Sequence, residues 1–151
     1  MTSAENKRLM QTAFDGLARA DRSAFVDLFA DEATWIVTGS HKLSHRFEGK
    51  VAIERELMVP LFALFATPYR STAERIIADE EGNVVVLAKG KVRTKSGHDY
   101  NNDYCFVFRM EQGKIFELRE YMDSVLAERA LGELVSPKPM IAASEAQPAL
   151  R

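Results

Sequence analysis

Residues 100–123, YNNDYCFVFRMEQGKIFELREYMD, set the architecture of this chain through their alternation. In a strand, residues two apart share a face. Phe116, Leu118, Glu120 and Met122 therefore point one way, and Ile115, Glu117, Arg119, Tyr121 and Asp123 point the other. The first set is an apolar face carrying one carboxylate, Glu120. The preceding segment places Asn102, Tyr104, Phe106, Phe108 and Met110 on one face, again with its polar groups gathered at one end.

A one-residue slip would turn a whole set of side chains over, so parity constrains how the two strands pair. A three-residue loop, Glu111-Gln112-Gly113, keeps the faces matched and puts glycine where a left-handed residue is wanted. It predicts Phe108 opposite Phe116, Phe106 opposite Leu118, Tyr104 opposite Glu120 and Asn102 opposite Met122. The same test upstream, across Lys95-Ser96-Gly97, predicts Gly90 opposite Asn102 and Ala88 opposite Tyr104, with Val86 and Val84 beside Phe106 and Phe108. Small residues then flank the polar groups and bulky ones fill the other end. That is the pattern of a cavity open at its polar end. The next turn leaves two alternatives: three residues, Glu80 to Gly82, would bring Glu74 inward, and two residues would bring Arg75 inward.

Along the rest of the chain, Leu9, Met10, Ala13, Phe14 and Leu17 recur at helical spacing and predict a first helix over 4–20. Asp21 is placed to cap a short second helix bearing Phe25, Leu28 and Phe29. A Trp35-bearing strand over 33–38 follows, available to join a sheet edge, and then a polar loop through His41–Phe47. A helix over 50–66 carries Pro60, which should kink it. Four antiparallel strands joined by short turns run from Tyr69 to Asp123, and Asp123 is placed to cap a last helix. Helices segregated from an antiparallel sheet give an α+β fold. Residues 1–135 are expected to form one domain, and 136–151 a Pro/Ala-rich tail.

Lys and Arg number 20 and Asp and Glu 22, a near balance that speaks against nucleic acid or an anionic membrane as partner. No stretch reaches the roughly 20 apolar residues of a membrane span, and a cytoplasmic location is expected. One cysteine, Cys105, leaves no internal disulfide. Its parity sets it on the outer sheet face with Val85, Leu87 and Val107, apolar groups that point away from the core and predict a homodimer through that face.

The order helix, helix, WIVTG strand, EGKVAI helix and long strands ending in QGKIFELREYMD resembles the nuclear transport factor 2-like superfamily over about residues 6–132. Within it the chain is most similar to the SnoaL-like, ketosteroid-isomerase-related branch. The resemblance implies a cone: a curved sheet wrapped around the N-terminal helices, with a pocket at the open end. In limonene epoxide hydrolase-like members the segment matching LREYMD carries a catalytic aspartate at the position of Glu120, and phenazine-biosynthesis members carry a glutamate acid there. The chain departs from the epoxide hydrolases where they place an arginine and a second aspartate, because it has Gly90 and Val92.

These readings give Glu120 as acid/base, with Tyr104 and Asn102 as orienting groups. Burial in an apolar cavity should raise the carboxyl above its ordinary pKa of roughly 4.3 and suit it to proton transfer near neutrality. Trp35, Met58, Phe62, Ala88, Gly90, Phe106, Leu118 and Met122 are the expected walls around a small apolar molecule. No phosphate loop, nucleophile elbow or dinucleotide fingerprint is present, so the expected chemistry uses no cofactor and no metal. His41 or His45, carried on a loop over the mouth, could act as a second proton carrier. The expected function is an isomerase, cyclase, dehydratase or hydrolase, and the alternative is a binding domain without catalysis.

Overall fold

The computed structural model describes residues 1–132. The expected tail lies outside the described residues. The first helix, α1 (Ser3–Ala18), starts where the Thr2 hydroxyl accepts the Glu5 N–H. Its stripe of Met10, Ala13, Phe14 and Leu17 is buried, and Phe14 meets Phe106 and Phe108 of the sheet with ring centroids 5.8 and 6.4 Å apart. Helix α2 (Ser23–Asp27) follows, and Phe29, expected at its end, instead opens strand β1 (Phe29–Val37).

The segment expected to be a polar loop contains strand β2 (His45–Glu48), which pairs antiparallel with β1 and forms one sheet edge. Its sequence, HRFE, buries only Phe47, too little apolar content for alternation to be read. The next helical rod runs in three parts: α3 (Lys50–Ala52), a π-helical turn (Ile53–Met58) and α4 (Val59–Phe62). Pro60 has no N–H to give to the preceding turn, and the Val59 N–H reaches back to Glu54 O, so the helix widens before the proline. It ends at Phe62, four residues short of expectation.

Strands β3 (Arg70–Ala78), β4 (Asn83–Lys91), β5 (Asp103–Glu111) and β6 (Lys114–Met122) complete a six-stranded sheet in the order β2-β1-β6-β5-β4-β3. All neighbours are antiparallel except β1 and β6, which run parallel. Helix α5 (Ser124–Ala130) closes the described chain, with Asp123 Oδ1 accepting the N–H groups of Val125 and Leu126 as its cap.

The β4/β5 register matches expectation: Ala88 faces Tyr104, Val86 faces Phe106 and Val84 faces Phe108. The β5/β6 register does not. The turn is the two-residue form, with Gln112 and Gly113 at φ of 50° and 77° and Glu111 paired to Lys114. Parity is restored by a bulge: Met110 pairs with Ile115 and Arg109 with Glu117, leaving Phe116 as the extra residue. Ile115 thereby joins the core beside Leu118, and the pairing slides so that Phe106 faces Glu120 and Tyr104 faces Met122. A second bulge, at Glu74, pairs Ala73 with Ala88 and Arg75 with Leu87. Both Glu74 and Arg75 are consequently exposed, and neither enters the cavity.

Candidate functional site

Between the concave sheet face, α1, α2 and the 50–62 helical rod lies a cavity that opens to solvent. Its walls are almost wholly apolar, with Phe14, Phe25, Leu57, Met58, Phe62 and Phe106 among them. Of the residues expected at the site, it brings together Glu120, Tyr104, Trp35, Met58, Phe62 and Phe106.

Glu120 is 7% exposed. Its Oε1 accepts the indole N–H of Trp35 at 2.8 Å, and among the described residues Oε2 accepts no hydrogen bond. Burial pushes the carboxyl up from 4.5 to about 7, opposed by the Trp35 bond, which favours the charged form. Strand pairing explains the contact: the parallel β1/β6 ladder sets Val37 beside Glu120 and Trp35 beside Leu118, so Trp35 and Glu120 are diagonal neighbours on one face. A buried indole N–H ordinarily finds an acceptor, and that was the signal in the sequence for this pair.

Around the carboxyl stand three phenols. Tyr104 stacks on Phe106 at 4.9 Å, and Tyr69 and Tyr100 bracket Phe65 at 5.8 and 6.5 Å. Burial raises the Tyr69 hydroxyl to about 12 and lifts those of Tyr100 and Tyr104 well above the ordinary phenol range, with the Glu120 carboxylate adding to the shift in each. All three therefore stay protonated donors near neutrality. Gly90 is not a wall of the cavity but makes room for this cluster: a Cβ there would sit 3.0 Å from the Tyr104 ring and 3.4 Å from the Tyr69 oxygen. Tyr69, Tyr100 and the buried Ser71 were not singled out from the sequence. Ser71 lies opposite Gly90, but the strand edge that placed it could not be registered past the Glu74 bulge.

Asn102 has a different place from the one expected. Fully buried, it donates through Nδ2 to Asp123 O at 3.1 Å and accepts through Oδ1 from the N–H groups of Asp123 and Asp103 at 2.9 and 2.8 Å. Nδ2 also approaches the Tyr100 hydroxyl at 3.4 Å. The amide thus ties the start of β5 to the end of β6 and has no face left for a ligand. Ala88 and Leu118 are core residues behind the aromatic layer, and Met122 reaches the site only through Tyr100, whose hydroxyl donates to its sulfur at 3.5 Å.

Neither loop histidine lines the cavity. His41 Nδ1 accepts the Leu43 N–H at 3.2 Å, His45 packs edge-on against Phe47, and burial lowers the pKa of both. Among the described residues no three His, Cys, Asp or Glu side chains converge as metal ligands, and no helix is long and apolar enough to cross a membrane.

A curved, unclosed sheet folded over helices, with an acid at the bottom of an apolar pocket, defines a nuclear transport factor 2-like domain. The chain belongs to the SnoaL-like domain family, whose model matches residues 10–118. Solved structures with the same fold include a putative SnoaL-like polyketide cyclase from Jannaschia sp. CCS1, 18% identical, covering 91% of this chain and 96% of that one with a TM-score of 0.68. A putative isomerase from Bacillus subtilis is 17% identical over 90% of this chain and 99% of its own, with a TM-score of 0.72. An NTF2-like protein from Burkholderia xenovorans LB400 is 22% identical over 86% and 98%, with a TM-score of 0.65. No curated protein sequence matches the chain.

Proposed function

We propose that this domain is a cofactor-free acid/base enzyme acting on an apolar small molecule that bears a carbonyl, in the manner of an isomerase or cyclase. The observation that carries this reading is the Glu120 carboxyl, buried among aromatic side chains and pushed up to about 7, with one oxygen that accepts no hydrogen bond among the described residues. At neutral pH such a group is present in both forms. The carboxylate takes a proton from the carbon next to the substrate carbonyl, and the resulting carboxylic acid returns it at another position. Tyr104, kept protonated by its surroundings, donates to the substrate oxygen as negative charge grows on it. Trp35 holds Glu120 in place through the N–H it donates. Relatives described as a putative cyclase and a putative isomerase are consistent with proton-moving chemistry in this fold.

Exchange in deuterated water tests this whatever the product. The protein is expected to accelerate exchange of the α-protons of apolar cyclic ketones, and Glu120→Gln to lower that rate by ~10²-fold or more while ligand binding survives. Exchange by Glu120→Gln as fast as by the parent would overturn the acid/base role. The second reading, a binding domain without catalysis, is favoured by Glu120 being the one ionisable carboxyl or imidazole among the described cavity residues. Binding without exchange in the parent protein would select it.

We also propose a homodimer through the outer sheet face. Val85, Cys105 and Val107 are half-buried there and Leu87 is exposed, with exposed Tyr121 beside Cys105 across the β5/β6 ladder. Apolar side chains on the face opposite a core mark association. Sedimentation at micromolar concentration is expected to give a dimer, and a monomer would count against this surface.

A further inference from the structure

The cavity mouth holds a cation whose place in the fold the acid/base reading leaves unused. Arg22 lies in the α1–α2 connection, exposed, with its guanidinium carbon 4.4 Å from the centroid of the Phe62 ring. Its side chain lines the main cavity and two adjoining clefts, one running along Leu17, Ala20 and Tyr69, the other along Phe29, Lys50 and Glu54. Among the described residues it forms no ion pair, although Glu54 shares one cleft with it and Asp21 precedes it. Asp21 is engaged elsewhere, accepting from the backbone N–H and hydroxyl of Ser23. Contact with the Phe62 ring holds the guanidinium at the rim, and among the described residues its N–H groups donate no hydrogen bond.

We propose that Arg22 is a specificity-determining residue that receives the carboxylate of an amphipathic substrate, whose apolar body occupies the aromatic cavity and whose acid group stays at the mouth. The inference rests on the cavity being a small-molecule site, and it narrows the class: a carbonyl-bearing compound whose aromatic or alicyclic body also carries one carboxylate. The arrangement separates the two charges. An anion admitted to the bottom of the cavity would meet Glu120, so a substrate carboxylate is placed best at the far, solvated end, where a planar fork matches its two oxygens. The rest of the lining offers it no competing cation, because Arg22 and Glu120 are the two ionic side chains among the cavity's described residues.

The test compares 2-naphthoate with its neutral carboxamide, using titration calorimetry and the indole N–H resonance of Trp35. That residue is the chain's one tryptophan and is bonded to Glu120, so its resonance reports occupancy of this cavity. The parent protein is expected to bind the carboxylate ~10-fold or more tightly than the carboxamide. Arg22→Met should abolish that preference while leaving the carboxamide affinity within about twofold, and Arg22→Lys should keep part of it. Equal binding of the two probes by the parent, or a preference that persists in Arg22→Met, would overturn the assignment of Arg22 and leave the cavity as a small-molecule site. Failure of both probes to move the Trp35 resonance would overturn the small-molecule site itself and the inference with it.

Discussion

Glu120→Gln is expected to be more stable than the parent protein in alkaline solution and equally stable in acid, a reversal of the usual cost of altering a buried polar residue. The folded-state pKa of Glu120 is raised from 4.5 to about 7. Between those values the native protein holds a proton that the unfolded chain has released, so parent stability falls as pH rises through that window and levels off above it. At about 1.4 kcal/mol per unit, the ionised carboxylate costs about 3 kcal/mol at pH values above the window. Glutamine keeps an acceptor for the Trp35 N–H and never ionises, so it escapes this cost. Urea unfolding at about pH 4 and about pH 8.5 should show the two proteins converging in the first case and separating by about 3 kcal/mol in the second. Parallel stability profiles would mean that the carboxyl is solvated in the folded state.

Asn102→Ala is expected to destabilise the fold by about 3 kcal/mol or more at any pH near neutral. The alanine leaves the N–H groups of Asp103 and Asp123 and the carbonyl of Asp123 without their partners, and because these contacts are part-buried each loss costs about 1 kcal/mol. The same contacts lead into the cap of α5, so the helix end should loosen with them. Thermal or urea unfolding checks this, and a loss under about 1 kcal/mol would show that the clasp is relaxed or replaced by water. The effect belongs to stability. Its constancy with pH distinguishes it from the Glu120→Gln effect, which develops only as pH rises through the window of the Glu120 carboxyl.

Much of the fold was legible in residues 83–91 and 103–111 because alternation there is strict. Val84, Val86 and Ala88 find Phe108, Phe106 and Tyr104 as parity requires. Periodicity reports which residues share a face, but it does not report a residue that drops out of the count. The bulges at Phe116 and Glu74 each remove one residue from the alternation, and with them went the pairing of Tyr104 to Glu120 and the question of Glu74 against Arg75. By strict parity a two-residue Gln112-Gly113 turn mixes the two faces, and the bulge at Phe116 is what reconciles that turn with the core.

The site was legible to the same depth. Glu120 on an apolar face is a local fact, and it stands in the cavity. Its partner comes from a strand 85 residues earlier, through a parallel pairing that no local pattern encodes. Asn102 shares a face with Tyr104 by parity, yet its place at the strand end puts it within reach of backbone groups, which use up both ends of the amide. Arg22 sits in a connection with no periodicity, where charge alone says nothing about what lies beneath it.

Whether Glu120 is a proton carrier tuned by burial is decided by a carbon-13 NMR titration of its side-chain carboxyl in the free protein. A midpoint near 7 is expected, well above the unperturbed 4.5. A midpoint at or below 4.5 would leave Glu120 ionised throughout the neutral range and contradict its role as an acid.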